Sequence, residues 1–136
     1  MPEAPLILLA AGGTGGHLFP AEALGAVLVA RGLRVRLVTD ERAIKYSGLF
    51  SDGMFDVVPS ETVRSKNPLA LARTGAMLAA GTVVALNLVR KHRPAAMIGF
   101  GGYPTLPRRM AARLMRVPTL IHDSNAVLGR ANRFLA

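Results

Sequence analysis

Four glycines in five positions, Gly12-Gly13-Thr14-Gly15-Gly16, follow directly on the apolar stretch Leu6 to Ala11 and are closed by His17. The apolar stretch reads as a fully buried strand that stops at Gly12. A helix is expected from Phe19 to Ala30, with Pro20 in its first turn and Gly32 as its stop. A strand, a glycine turn and a helix in that order commit the chain to an α/β fold. The glycines also do chemical work. Without Cβ atoms, their backbone N–H groups can approach a ligand closely. The helix that follows adds partial positive charge at its first turn, which suits a phosphate or pyrophosphate. A tight turn alone needs one or two glycines, not four. The run lacks the terminal Gly-Lys-Ser/Thr of a P-loop, which argues against ATP hydrolysis.

The rest of the chain repeats the alternation. Val35 to Thr39 and Phe55 to Val58 read as strands, and the polar stretch from Ser60 to Pro68 as a loop. Asn67-Pro68 is expected to cap a long helix from Leu69 to about Arg90, which Pro94 ends. Ala96 to Ile98 is the fourth strand, Leu106 to Arg116 a helix, Thr119 to His122 the fifth strand and Leu128 to Ala136 the start of another helix. This predicts a Rossmann-like parallel sheet with helices on both faces. Ligands in such sheets bind outside the carboxyl ends of the strands, so the segments just after the strands carry the argument.

Two of those segments match the first in character. After the fourth strand comes Gly99-Phe100-Gly101-Gly102-Tyr103-Pro104-Thr105, a second glycine-rich loop. Two such loops side by side suit a pyrophosphate-bearing substrate better than a single phosphate. After the fifth strand comes His122-Asp123-Ser124-Asn125, whose polar groups leave a buried strand toward the same crevice. A dinucleotide site is the competing reading, because Asp40 ends the second strand where a dehydrogenase places its ribose-binding acid. The glycines are not spaced as GxGxxG, since the third would fall at Leu18, and Asp40-Glu41-Arg42 reads as a solvated turn.

Charge narrows the partners. Seventeen basic residues against eight acidic ones give a net charge of +9, which favours an anionic partner. Nucleic acid is disfavoured, because the chain has two Tyr, no Trp and no basic run interleaved with stacking aromatics. Phosphorylated ligands and an acidic membrane surface remain. Absence of cysteine excludes disulfides and thiolate metal sites and fits a cytoplasmic setting. Glu3 and the lack of a basic leading segment argue against a signal peptide.

Taken together, GGTGGH after the first strand, GFGGYPT after the fourth and HxxN after the fifth resemble the MurG family of glycosyltransferases. The tracts Ser65-Lys66-Asn67-Pro68-Leu69 and Val127-Leu128-Gly129-Arg130 share in the resemblance, which runs in order over essentially the whole chain. It implies the amino-terminal, acceptor-side half of an inverting, metal-free GT-B enzyme without a cofactor, spanning residues 1–136. The activity implied is transfer of N-acetylglucosamine from UDP-GlcNAc to lipid I (undecaprenyl-pyrophosphoryl-MurNAc-pentapeptide), giving lipid II for peptidoglycan. By motif position, His17 is the catalytic candidate, a base for the acceptor hydroxyl. Thr14, Gly15, Gly16 and Asn125 are expected to contact the donor, and Gly12, Gly13, Gly101, Gly102 and Tyr103 the acceptor. The family usually has His-Glu-Gln-Asn where this chain has His122-Asp123-Ser124-Asn125, so the carboxylate is one methylene shorter. Arg108-Arg109 stand at a helix start that is commonly apolar in the family. Because the donor-binding half lies outside the sequence, this polypeptide alone is expected to be inactive. Another GT-B glycosyltransferase, or a non-catalytic module holding a pyrophosphate lipid or a dinucleotide, are the alternatives.

The helix from Leu69 to Val89 is apolar nearly all round, whereas a surface helix ordinarily shows a polar face. Arg73, Asn87 and two glycines make it a poor membrane-spanning segment. Packing of its inner face on the core and an interfacial role for its outer face would account for both features, and the family resemblance implies peripheral docking on the cytoplasmic leaflet of the inner membrane. Arg64, Lys66, Arg73, Arg90, Lys91, Arg93, Arg108 and Arg109 are the expected cationic ring. Each is worth about 1 kcal/mol near an anionic surface.

Overall fold

The computed structural model describes residues 3–12, 15–41, 55–57, 67–100 and 106–123. Among them the elements run β1 (Leu6–Ala10), α1 (Gly15–Ala30), β2 (Arg34–Thr39), β3 (Phe55–Val57), α2 (Pro68–His92), β4 (Ala96–Gly99), α3 (Leu106–Leu114) and β5 (Thr119–Ile121). The strands form one sheet in the order β3-β2-β1-β4-β5, every neighbouring pair parallel. The expected Rossmann-like layout is what the chain adopts. The helix expected from Leu128 lies outside the described residues.

Strand alternation sorts the core into two halves. Leu6, Leu8 and Ala10 of β1, with Val38 and Met97, pack beneath Ala85 and Val89 of α2 and Ala111 and Ala112 of α3. Leu9 and Ala11, with Val35, Leu37 and Phe100, pack against Leu18 and Ala21 of α1. Helices therefore cover both faces, α1 on one and α2 with α3 on the other. Each fully buried leucine among these contributes roughly 1.5–3 kcal/mol of burial free energy.

The helix ends follow local rules with two exceptions. Asn67 caps α2 as expected, its side chain accepting a 3.0 Å hydrogen bond from the Leu69 N–H. At the end of α1, the N–H groups of Gly32 and Leu33 bond back to the carbonyls of Val29 and Leu28, with Gly32 at φ 84°. This is a Schellman stop, and glycine is its natural occupant. The end of α3 repeats the motif, with Arg116 N–H to Arg113 and Val117 N–H to Ala112, but its left-handed residue is Arg116 at φ 57°. Arg93 ends α2 in the same region at φ 45°. An L side chain in this conformation costs about 1–2 kcal/mol relative to glycine.

The start of α1 departs from expectation. It begins at Gly15 rather than Phe19, so Pro20 sits in the helix body instead of its first turn. Pro20 has no N–H to give the Gly16 carbonyl, and one helical hydrogen bond is forgone. The last two glycines of the run, Gly15 and Gly16, thus enter the helix instead of preceding it.

A half-buried charge cluster ties the edge strand to the far end of α2. Arg36 of β2 makes a two-point ion pair with Asp56 of β3, through Nε to Oδ2 and through Nη2 to Oδ1 at 2.9 Å. His92, the last residue of α2, holds Nε2 3.5 Å from Asp56 Oδ2. The hydrogen bond from Arg36 holds the Asp56 carboxyl below its ordinary value, against the opposing effect of burial. Burial, followed by the charge of Arg36, pushes the His92 imidazole below its own.

The outward side of α2 is where its apolar character goes. Thr74, Gly81, Ala85 and Val89 form the buried seam. Leu69 is 81% exposed and Val83 58%. By length and composition α2 could cross a membrane, yet only 17% of its most apolar window is buried in the fold.

Candidate active site

The carboxyl edge of the sheet gathers the starts of the motif segments. β1 pairs with β4 so that Ala10 stands opposite Gly99, and β4 pairs with β5 so that Gly99 stands opposite Ile121. Pairing continues one residue past each strand. The Ala11 N–H bonds the Val38 carbonyl at 3.2 Å, Phe100 N–H bonds Ala10 at 2.9 Å, and His122 N–H bonds Gly99 at 2.8 Å. The chain therefore leaves β1, β4 and β5 side by side at one level. The crossover after β1 runs over one face of the sheet and the one leading into β4 over the other. That makes the gap between β1 and β4 the topological switch point, where ligands of such folds bind.

Gly12 is buried at the mouth of this gap, and Gly15, Gly16 and His17 form the first turn of α1 beside it. Their N–H groups have no partner within the helix and form an anion-attracting end. His17 is half-buried and Gly16 exposed. Leu18, the next residue, is wholly buried in the cluster that contains Leu9 and Phe100. This contact fixes the first turn of α1 on the sheet and with it the position from which His17 projects. Gly13, Thr14, Gly101, Gly102, Tyr103 and Asn125 lie outside the described residues, as do Arg64, Lys66 and the side chains of Arg108 and Arg109.

Phe100 is the residue that the sequence reading passed over. It sits in a glycine-rich loop, yet it is only 2% exposed. It joins the core beside Leu18, and its ring stands 5.2 Å from that of His122, tilted by 40°. One side chain thereby ties together the segments that follow β1, β4 and β5. The signal was present in the sequence: a large apolar residue among glycines has reason to be there only if it is anchored.

Asp40 corrects another expectation. It follows β2 at the same edge, but it is 3% exposed and so does not belong to a solvated turn, whereas Glu41 beside it is exposed. Thr39, just before it, is wholly buried, and its Oγ1 has no hydrogen-bond partner among the described residues. A buried carboxylate is not presented to solvent as an open ribose site requires, which weakens the dinucleotide reading.

The glycosyltransferase family 28 N-terminal domain matches residues 7–136. The chain belongs to glycosyltransferase family 28. Within the family, it is 76% identical over all 136 of its residues to the UDP-N-acetylglucosamine--N-acetylmuramyl-(pentapeptide) pyrophosphoryl-undecaprenol N-acetylglucosamine transferase of Rhodopseudomonas palustris strain BisA53. The chain spans 36% of the length of that relative. Among solved structures, MurG of Acinetobacter baumannii superposes with a TM-score of 0.75 at 29% identity, covering 96% of this chain and 38% of that one. The Streptomyces glycosyltransferase SsfS6 superposes with a TM-score of 0.66 at 17% identity over 96% of this chain and 42% of its own, a likeness of fold alone. The fold of this family 28 chain is thus that of the amino-terminal half of GT-B glycosyltransferases.

Proposed function

We propose that this chain is the acceptor-side half of an enzyme that transfers N-acetylglucosamine from UDP-GlcNAc to lipid I, giving lipid II. The observation that carries the reading is the direct pairing of β1 with β4, because it sets the starts of both glycine loops at one edge. Two such donor-rich turns close together suit a pyrophosphate-bearing acceptor. The relative at 76% identity, whose name describes this transfer, supports it.

In this reading His17 takes the proton from the acceptor hydroxyl as its oxygen bonds to the anomeric carbon of the donor sugar. The bond from that carbon to the UDP oxygen breaks, UDP carries away the electron pair, and the configuration inverts. Thr14, Gly15, Gly16 and Asn125 touch the donor. Gly12, Gly13, Gly101, Gly102 and Tyr103 hold the acceptor, and the donor half is assigned to sequence beyond this chain. A titration of backbone amides with a soluble lipid I analogue tests the assignment, with NADH in parallel. Saturable shifts at Gly12, Gly16 and Phe100 with the analogue alone are expected. Shifts with NADH alone, centred on Gly16 and Asp40, would replace this reading with a dinucleotide module.

The outward face of α2 supports peripheral docking on an anionic bilayer at the cytoplasmic face of the inner membrane. Its exposed valines, Val83 and Val84, lie between Arg73 and the pair Arg90 and Lys91, and its exposed leucines, Leu69 and Leu71, lie just before Arg73. Asparagine at Leu69 and Val83 is expected to weaken binding to phosphatidylglycerol vesicles at least tenfold. Stability should stay within about 0.5 kcal/mol, because both side chains are exposed. Unchanged sedimentation with vesicles would remove α2 from the contact.

A further inference from the structure

At the opposite edge of the sheet from the glycine loops, the ends of α2 and α3 enclose an open groove of about 540 Å³. Its floor is apolar, from Val89, Pro94 and Val117, and Arg90, Arg93 and Arg116 line it. We propose that this groove is a second anion site, built to hold a phosphate group, and distinct from the crevice at the carboxyl edge.

Three observations carry this. First, Arg93 and Arg116 are the non-glycine residues of positive φ among the described ones, and both line the same groove. The Schellman motif that α3 repeats is closed in α1 by Gly32, the residue that the backbone prefers there. At α3 and α2 the preferred residue is replaced by a guanidinium, and backbone ease alone does not account for either. Second, no acidic side chain lines the groove, and no ion pair engages Arg90, Arg93 or Arg116 among the described residues. Third, the charge balance is positive. Two helix carboxyl ends carry about half a negative charge each, against three full positive charges. A planar guanidinium fork matches phosphate oxygens in pairs, so two or three such forks around a groove make a phosphate cradle.

The phosphate could come from a soluble diphosphate or from a phospholipid headgroup, and the chemistry is the same. The site does not depend on docking through α2, since phosphate would bind it in solution. Glycine is compatible with both left-handed positions, so the Arg93→Gly/Arg116→Gly chain should fold with unchanged or slightly raised stability.

The test titrates the full chain with sodium pyrophosphate at constant ionic strength and follows its amide resonances. Saturable shifts at Arg93, Arg116 and Val117 are expected, with affinity weakened about tenfold or more in the double-glycine chain. An Arg31→Gln/Arg34→Gln chain, which loses the same charge elsewhere, should bind as the unaltered one does. Sedimentation with phosphatidylglycerol vesicles forms the second arm. Loss of pyrophosphate affinity with vesicle binding retained assigns the groove to soluble phosphate. Loss of vesicle binding in the double-glycine chain but not in the charge-matched control assigns it to a lipid headgroup. Shifts that chloride reproduces, together with vesicle binding that both variants reduce equally, overturn the proposal.

Discussion

If His17 is the base proposed above, alanine at position 17, in a protein that also carries the proposed donor half, is expected to lower kcat by about 10²- to 10⁴-fold with a much smaller change in KM. The expectation rests on placement. His17 lies in the first turn of α1, half-buried, at the edge where the chain leaves β1, β4 and β5 together. A base acts on the proton in flight, so its removal is felt in the transition state more than in substrate binding. Folding should survive the change, because the core contact in this turn belongs to Leu18 and alanine favours helix. Steady-state kinetics with UDP-GlcNAc and a lipid I analogue decide it. Turnover within threefold of the parent would show that another group takes the proton.

Asparagine at Asp56 is expected to cost roughly 1–3 kcal/mol of stability, between the values for exposed and buried ion pairs. The pair with Arg36 sits on side chains 17% and 21% exposed, so neither limit applies alone. The variant removes the carboxylate that Arg36 engages at two points and releases the contact to His92. The same cluster sets an acid response in two stages. His92 has an ordinary value of 6.5 and a lower one when folded, so the folded state takes up its proton less readily than the unfolded chain. Its contribution to stability is present above pH 6.5 and declines as pH falls below that. Asp56 has an ordinary value of 3.8, also lowered by folding, so its contribution is present above 3.8 and is lost further into acid. Urea unfolding midpoints at pH 7.5, 5.5 and 3.5 should fall stepwise for the parent. For Asp56→Asn the midpoint should start lower and lose the step below pH 4. A midpoint at pH 7.5 equal to the parent's would show that the pair is worth nothing.

The strand and helix order was legible because parallel strands buried on both faces read as short apolar runs, as LILLA and RVRLVT do. The motif segments were legible for the same reason, since each follows such a run. Two local readings failed on physical grounds. Pro20 was placed in the first turn by its own preference, but Gly15 and Gly16 join the helix and carry the start back. Asp40 stands beside charged residues in sequence, yet it is buried in the fold. Phe100 carried a local signal, a large apolar residue among glycines, but its partners Leu18 and His122 lie far apart in sequence, as do the arginines at the ends of α2 and α3, and no local pattern encodes which of them meet. Of the site proper, the residues were named by motif. Among the described residues, the starts of the first two segments, Gly12 and Phe100, stand at one edge because β1 pairs with β4.

That pairing also governs how the protein comes off the ribosome. β1 occupies the centre of the sheet, but one of its two neighbours, β4, is synthesised roughly 90 residues later. At about 5–20 residues per second, this leaves one edge and one face of the Leu6–Ala10 segment uncovered for roughly 4–18 s. During that time the nascent chain offers an apolar strand with unpaired N–H and C=O groups, the kind of segment that general chaperones shield and that crowded polysomes aggregate. Slower translation over α2 would lengthen this exposure, so the yield of soluble protein should respond to codon choice there more than after β4.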